Sequence, residues 1–409
     1  MITELHLENW KSFGEATLYI DPLSILIGTN ASGKSNVIDA LVFLQRIASG
    51  IHVMPAIAGS DQFPPLRGAM DWIVRSSKNE FTLTVIVNKG DLNYEYSITC
   101  LLSKKPLFVV KKEYLKSFYK NKKNIAEKIY FFFDENSFSY GDIPSNSGIG
   151  IGSIMSKNST LCEFASSTKI ENERHYAAQY VVSALKSVFV LNADLTRMKN
   201  YSALSGDIKH DASNIAGVLA ALPPERQKEI EDTLTSYASR LPERDIHRVY
   251  AEKVGKLGND AMLYCDERWA ESGEIFTVDA RAMSDGTLRF LAILTALLTL
   301  PEGSLLVIDE VDNGLHPSRA QLLLDSLQTI GKKRNIDVLA TTHNPALLDA
   351  MGTGMVPFVT VAHRDSVTGT SQLTLLEDIE QLPKLLAQGT VGKLSTQGLL
   401  EKSLELRHE

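Results

Sequence analysis

Gly28-Thr29-Asn30-Ala31-Ser32-Gly33-Lys34-Ser35 sets a glycine at each end of a four-residue gap and follows the second with Lys and Ser, the spacing of a phosphate-binding loop. The run before it, Leu23-Ser24-Ile25-Leu26-Ile27, is short, apolar and β-prone and reads as a buried strand. The run after it, Asn36 to Leu44, spaces its apolar residues as a helix does. Strand, glycine loop and helix therefore follow in the order phosphate binding requires. The glycines let backbone N–H groups converge on phosphate oxygens, and the helix N-terminus adds unpaired N–H groups and a partial positive charge. In this reading Lys34 reaches the β- and γ-phosphates of ATP, Ser35 holds Mg²⁺, and Asn30, Ala31, Ser32, Gly33 and Asn36 complete the candidate phosphate cradle. A chance glycine turn is the alternative, and the flanking strand and helix count against it.

Composition narrows the class. Hydrophobic residues make up 44% of the 409 and charged residues 22%, which is ordinary for a globular chain with a sizeable core. The net charge of −7 argues against a protein that coats nucleic acid constitutively. Cys100, Cys162 and Cys265 are far apart and in no metal-ligand spacing, so they read as reduced thiols. No segment approaches the roughly 18 apolar residues of a membrane span, and no basic-then-apolar leader opens the chain. The expectation is a cytoplasmic protein.

Residues 1–27 alternate as two strands around a turn at Lys11-Ser12-Phe13-Gly14. A loop rich in Gly, Pro and Ser runs from Ser49 to about Gly68; its Gln62 could contact the metal or an attacking water, or be an ordinary polar loop residue. From Phe81 to Phe133 several period-two runs predict an antiparallel meander. Residues 134–160, rich in Ser, Gly and Asn, read as a mobile loop. Helical patterns cover Glu171–Val190, Asn214–Ala221 and Pro224–Arg240, without sustained heptads. Strands return at Ala261–Tyr264 and Ile275–Val278.

The last third carries three further signals. Ala282-Met283-Ser284-Asp285-Gly286-Thr287 precedes a long apolar helix. Leu305-Leu306-Val307-Ile308 is an apolar strand ending in Asp309-Glu310. Val338-Leu339-Ala340-Thr341-Thr342 is another, ending in His343. Two carboxylates at a strand end suit phosphoryl transfer: Asp309 can complete a Mg²⁺ shell and Glu310 can orient or deprotonate the attacking water. After Val356 one or two more strands and a helical tail from Leu399 follow. The expected segments are 1–100 as an N-terminal ATPase lobe, 101–165 as β meander and loop, and 166–260 as a mainly helical insertion. Residues 261–360 form a C-terminal ATPase lobe and 361–409 a tail.

Ser284-Asp285-Gly286, Asp309-Glu310, Gly314-Leu315-His316-Pro317 and Thr341-Thr342-His343-Asn344-Pro345 together resemble the ABC-type ATPase heads of the SMC, RecF and overcoming-lysogenization-defect proteins, as does the opening Leu7-Glu8-Asn9-Trp10-Lys11-Ser12-Phe13. The whole chain looks like the compact AAA-family ATP-binding proteins of bacterial anti-phage operons of the PARIS, Septu and retron types. The resemblance implies an α/β P-loop NTPase head of ABC type with an antiparallel β subdomain and a mainly helical insertion. It implies a homodimer sandwiching two ATP molecules, in which Ser284, Asp285 and Gly286 of one protomer face the γ-phosphate held by Lys34 of the other. It makes Glu310 the water-activating base, Ser35 and Asp309 the Mg²⁺ residues and His343 a γ-phosphate sensor. Lys11 and Phe13 take the place of the family's base and ribose contacts, and Ser12 between them is expected at the nucleotide as well. For Ser284 a plain helix N-cap is the alternative, and for His343 a satisfied core histidine. Met283 and Thr287 replace the Leu and Gln of the widespread ABC signature.

Between Lys104 and Lys128 nine lysines face two glutamates among Phe108, Tyr114, Phe118 and Tyr119. Cations interleaved with aromatic faces suit nucleic acid, and a solvated hairpin edge is the alternative. The leading expectation is an ATP-gated dimeric switch, with a higher oligomer as its further form, that controls a nuclease or toxin partner encoded nearby. The alternatives are the nucleotide-binding subunit of a transporter and a scaffold that uses ATP as structural glue.

Overall fold

A computed structural model describes residues 1–104, 107–119, 127–134, 137–139, 159–166, 173–241, 245–268, 274–313 and 316–405. They form two compact units, residues 1–188 with 360–378 and residues 189–359 with 379–404. These units cut across the five segments expected from composition, because the opening strands and the meander share one sheet.

In the first unit that sheet has seven strands in the order Glu15–Tyr19, Ile2–Glu8, Glu80–Lys89, Leu92–Lys104, Leu107–Tyr119, Lys128–Asp134 and Ser137–Ser139, all antiparallel. Alternation places Leu5, Leu7, Leu83, Val85, Tyr96 and Ile98 inward, all fully buried. The helix Lys34–Ala48 lays Phe43 against this face, where the rings of Trp10, Phe43, Phe81 and Phe108 follow one another at centroid distances of 5.8 Å or less for the first three and 6.1 Å for the last. The strand Leu23–Ile27, buried along its whole length, lies beside Val359–Arg364, which pairs antiparallel with Ser371–Leu375.

The second unit holds a βα unit of opposite character. Leu305–Ile308 and Asp337–Thr341 pair in parallel, joined through the helix Ala320–Arg334, and every residue of both strands is buried. Asn335 ends that helix at φ 50°, the left-handed position asparagine tolerates best after glycine. The apolar run from Phe290 lies in the helix Asp285–Thr299, whose flanks are buried on nearly all sides. A smaller antiparallel sheet is built from Ser202–Ala203, Asp260–Arg268 and Ile246–Val254, with Ile275–Asp279 on Asp260–Arg268.

Three expectations are corrected. The helical run to Val190 stops at Lys186, and Val188–Leu191 is a strand, since Val-Phe-Val-Leu packs better on a pleat than on a helix. The Ser49–Gly68 loop contains a helix, Val53–Ala58. The mainly helical insertion includes the nine-residue strand Ile246–Val254, whose apolar residues Val249, Tyr250 and Ala251 do not alternate cleanly. Most of the mobile loop expected at 134–160, together with Lys120, Lys122, Lys123, Gly314 and Leu315, lies outside the described residues.

Candidate functional site

The glycine loop in the first unit is shaped by three positive backbone dihedrals, two at glycines and one at an alanine. Gly28 sits at φ 144°, Ala31 at φ 64° and Gly33 at φ 114°. A Cβ on Gly28 would lie 2.1 Å from the Ala362 carbonyl oxygen, and one on Gly33 2.8 Å from Phe13 Cζ and from Ser371 Oγ. Alternating hands of this kind turn successive N–H groups into a concave, anion-accepting nest. Lys34, 9% exposed, donates from Nζ to the carbonyls of Gly28 at 2.6 Å and Thr29 at 2.9 Å, so its ammonium is held inside the curl of the loop. Ser32 Oγ is buried there with no hydrogen-bond partner. An orphaned hydroxyl and two glycines that admit no side chain are what a phosphate cradle demands, and the site therefore fits a nucleotide triphosphate. Ser35 opens the helix beside them and is partly exposed.

The turn at Lys11–Phe13 supports this loop from beneath. Trp10 Nε1 donates to the Asn36 carbonyl at 2.8 Å, Asn36 Nδ2 donates to Ser12 Oγ at 2.7 Å, and Ser371 Oγ donates to Ser12 Oγ at 2.7 Å. Phe13 is wholly buried against Gly33, so its ring belongs to the floor of the loop and is closed to a base or ribose. Lys11 is also committed: Nζ donates to Asp39 Oδ2 at 2.5 Å and to the Arg67 carbonyl at 2.7 Å. Burial pushes the Lys11 ammonium below its ordinary value, and the Asp39 carboxylate opposes that push. Gln62 is exposed on a turn held through Arg46, which donates to the carbonyls of Ala56 and Pro64. Arg46 lies in the last turn of the helix and Ser35 in its first, so the structure does not gather Gln62 with Ser35.

The second unit builds the carboxylate cluster around Thr341 and Arg289. Thr341 Oγ1 donates to Asp309 Oδ1 at 2.8 Å and accepts from the Glu310 N–H at 2.8 Å, which fixes one carboxylate and the backbone of the next. Glu310 holds φ 50°, an uncommon conformation for a residue with a long side chain, and its carboxylate is exposed and accepts from Asn313 Nδ2 at 3.3 Å. Arg289 donates to the Asp309 carbonyl at 3.1 Å and to the Glu310 carbonyl at 2.7 Å. Burial lowers the Arg289 guanidinium's proton affinity, and Asp312, Glu310 and Asp309 counter it. His343 is exposed between two fixed neighbours: Thr342 Oγ1 donates to Asp312 Oδ1 at 2.5 Å, and Asn344 caps the helix Pro345–Met351 through the Ala346 N–H.

Ser284 is the N-cap of the helix Asp285–Thr299, accepting from the Thr287 N–H at 3.1 Å. Ser284 and Asp285 are exposed, Gly286 is buried, and Asp285 pairs with Lys199 at 2.8 Å. In the meander Lys111 pairs with Glu80 at 2.8 Å, Lys116 with Glu95 at 3.3 Å and Lys128 with Glu173, while Lys112 lies over the rings of Tyr114 and Phe132. That pairing spends much of the cationic surface expected between Lys104 and Lys128. Among the described residues no three His, Cys, Asp or Glu side chains form a metal cluster, and no helix is long and apolar enough to cross a membrane.

Arg289 and Asp39 went unread in the sequence, and Thr341 was read only as part of the strand before His343. Arg289 and Asp39 carried a signal, since each is a charge inside an apolar helical pattern and must find a partner when buried.

Residues 23–349 match the family described as "AAA domain, putative AbiEii toxin, Type IV TA system". Three solved structures are similar at low identity. An SMC head bound to the C-terminal winged-helix domain of ScpA is 13% identical with a TM-score of 0.48, covering 91% of this chain and 96% of that one. The SMC head domain of Thermotoga maritima is 13% identical with a TM-score of 0.42 over 91% and 98%. An SMC head with an extended coiled coil, bound to the C-terminal domain of ScpA, from Pyrococcus furiosus is 12% identical with a TM-score of 0.48 over 95% and 98%. No curated protein matches the chain.

Proposed function

We propose, from the premise that the chain belongs to the AAA domain family whose model spans residues 23–349, that it is an ATP hydrolase working as an ATP-gated dimeric switch. The observation that carries this reading is the glycine loop: an orphaned Ser32 hydroxyl, a buried Lys34 ammonium and two glycines without room for a side chain. Lys34 leaves its two carbonyls for the β- and γ-phosphates, exchanging neutral acceptors for charged ones. Glu310 orients and deprotonates the attacking water, its exposed carboxylate being aimed by the left-handed backbone that Thr341 and Arg289 hold. Ser35 and Asp309 are the residues that would hold Mg²⁺, which when bound offsets charge on the phosphates. His343 serves the γ-phosphate. Ser284 and Gly286 at the start of a buried helix reach the nucleotide of a second copy, so that ATP joins two protomers and hydrolysis lets them part. A partner effector, a nuclease or toxin, is the output such a switch would control.

The test is a pair of variants in the full chain. Lys34→Ala abolishes ATP binding. Glu310→Gln binds ATP and Mg²⁺, loses about 10²–10⁴-fold in phosphate release, and shifts the chain to a dimer by light scattering. A Glu310→Gln protein that stays monomeric at saturating ATP overturns the sandwich, and one that hydrolyses ATP at the original rate overturns the assignment of the base.

A further inference from the structure

Asp312 has no part in the chemistry assigned so far, yet it lies two residues past Glu310 and is only 9% exposed. A buried carboxylate persists only where partners replace the water it has lost. Asp312 has two in the second unit. Thr342, itself fully buried, donates from Oγ1 to Asp312 Oδ1 at 2.5 Å. The buried Arg289 guanidinium is the other, and of the carboxylates that offset its burial Asp312 acts most strongly.

The adjacent hydroxyls of Thr341 and Thr342 do different work. Thr341 Oγ1 serves Asp309 and the Glu310 N–H, whereas Thr342 Oγ1 serves Asp312 and accepts from the Asn344 N–H at 3.0 Å. A hydroxyl has a single proton, so giving it to the carboxylate leaves the lone pairs for Asn344. The bond from Asn344 closes a tight turn with His343 at its centre. Asn344 Oδ1 in turn accepts from the Ala346 N–H at 2.9 Å, which ties that turn to the helix Pro345–Met351. His343 is thus an exposed side chain on a backbone fixed at both neighbours.

We infer that Asp312 and Thr342 are positioning residues for His343: the buried carboxylate orients the Thr342 hydroxyl, and the hydroxyl holds the turn that presents the imidazole. The inference rests on the reading of His343 as the residue at the γ-phosphate and adds the groups that place it. Charge makes the arrangement directional. A hydroxyl among neutral acceptors can rotate, whereas one beside a carboxylate keeps its proton there and its lone pairs away. Arg289 braces the Glu310 carbonyl and also faces Asp312, so this one carboxylate adjoins the supports of both Glu310 and His343. The Val311 N–H, donating to the Thr341 carbonyl at 2.9 Å, keeps the two strand ends together.

Steady-state phosphate release by the full chain, read as a double-mutant cycle, tests this. His343→Ala lowers kcat by about 10²-fold, the scale expected for losing a placed group at the reacting phosphate. Thr342→Val keeps the outline of the side chain without its hydroxyl and lowers kcat about tenfold or more, with the KM for ATP little changed. Thr342→Ser, which returns the hydroxyl, returns kcat. Thr342→Val combined with His343→Ala costs no more than His343→Ala alone, because placement has no value once the placed group is gone. A threonine with a purely structural role would lower kcat by the same factor in both backgrounds. Asp312→Ala repeats the Thr342→Val pattern, and if circular dichroism shows it unfolded the threonine cycle decides alone. Equal factors in the two backgrounds, or an unaltered kcat in Thr342→Val, overturn the inference and leave the reading of His343 standing. An unaltered kcat in His343→Ala overturns both.

Discussion

Arg289 and Glu310 are joined at 2.7 Å through the arginine's guanidinium and the glutamate's backbone carbonyl, not through their opposite charges. The contact leaves the Glu310 carboxylate exposed while holding its backbone at φ 50°. A cation placed four residues beyond Asp285 in the buried helix thus fixes the direction of a carboxylate it does not neutralise.

Arg289→Lys follows from this as a test of positioning. Both carbonyls are met by the one terminal nitrogen Nη2. Lysine keeps the charge, but its shorter, non-planar head cannot place a nitrogen at the same point while its stem stays in the buried helix. The expected outcome is a fall in kcat on the order of 10²-fold with little change in the KM for ATP, since misplacement of a catalytic group acts on the transition state. Steady-state phosphate release checks it; a KM effect alone would mean Arg289 supports binding instead.

Phe13→Ala distinguishes a floor from a ligand contact. The ring is fully buried under Gly33, so its loss opens a cavity and costs about 3–5 kcal/mol of stability. Denaturant unfolding measures this. A variant of unchanged stability that only binds ATP less well would return Phe13 to the nucleoside.

Asp39→Asn probes the buried pair with Lys11, whose side chains are 7% and 5% exposed. Removing one charge leaves the other buried and uncompensated, at a cost of about 3–5 kcal/mol. The double change Asp39→Leu with Lys11→Met recovers most of that stability, because an apolar pair of similar volume needs no solvation. Thermal unfolding of the single and double variants reads the difference.

Glu113 supplies a pH-dependent prediction. Its fully buried carboxylate accepts from Tyr96 Oη at 2.8 Å, Ser159 Oγ at 2.6 Å and the N–H groups of Thr160 and Leu161 at 2.7 and 3.1 Å. Burial raises its pKa above the usual carboxylate value of 4.5 even against those four donors. In the interval between 4.5 and the raised value the folded chain binds more protons than the unfolded one. Its stabilising contribution is therefore full below 4.5 and is lost as pH rises through the folded-state value. The expected result is a Tm that falls with rising pH over that interval in the original chain and falls less in Glu113→Gln, measured by calorimetry. Equal slopes in the two proteins would remove Glu113 as the cause.

Much of the local architecture was readable because it depends on neighbours in sequence. Gly28, Gly33, Lys34 and Ser35 announced the loop through spacing, and the alternation from Phe81 to Phe133 announced the antiparallel strands. Ser284 was legible as a cap since capping is decided within one turn. Val188–Leu191 was misread for the opposite reason: four residues after a helix carry too little period to separate strand from helix, and sheet neighbours settle it. Phe13 was misassigned because an aromatic next to Lys and Ser has the same letter whether it faces solvent or floor.

Composition and spacing alone thus determined that this chain has a glycine loop fit for phosphate, a carboxylate pair at a strand end and alternating strands between them, since each is set by the dihedral and pairing preferences of adjacent residues. Only the tertiary structure decided that Lys11 serves Asp39, that Phe13 lies under Gly33, that Arg289 braces Glu310, and that Thr342 donates to Asp312. Those outcomes depend on which groups lose water and which partners arrive from distant parts of the chain, and burial is a property of the folded whole that no local pattern encodes.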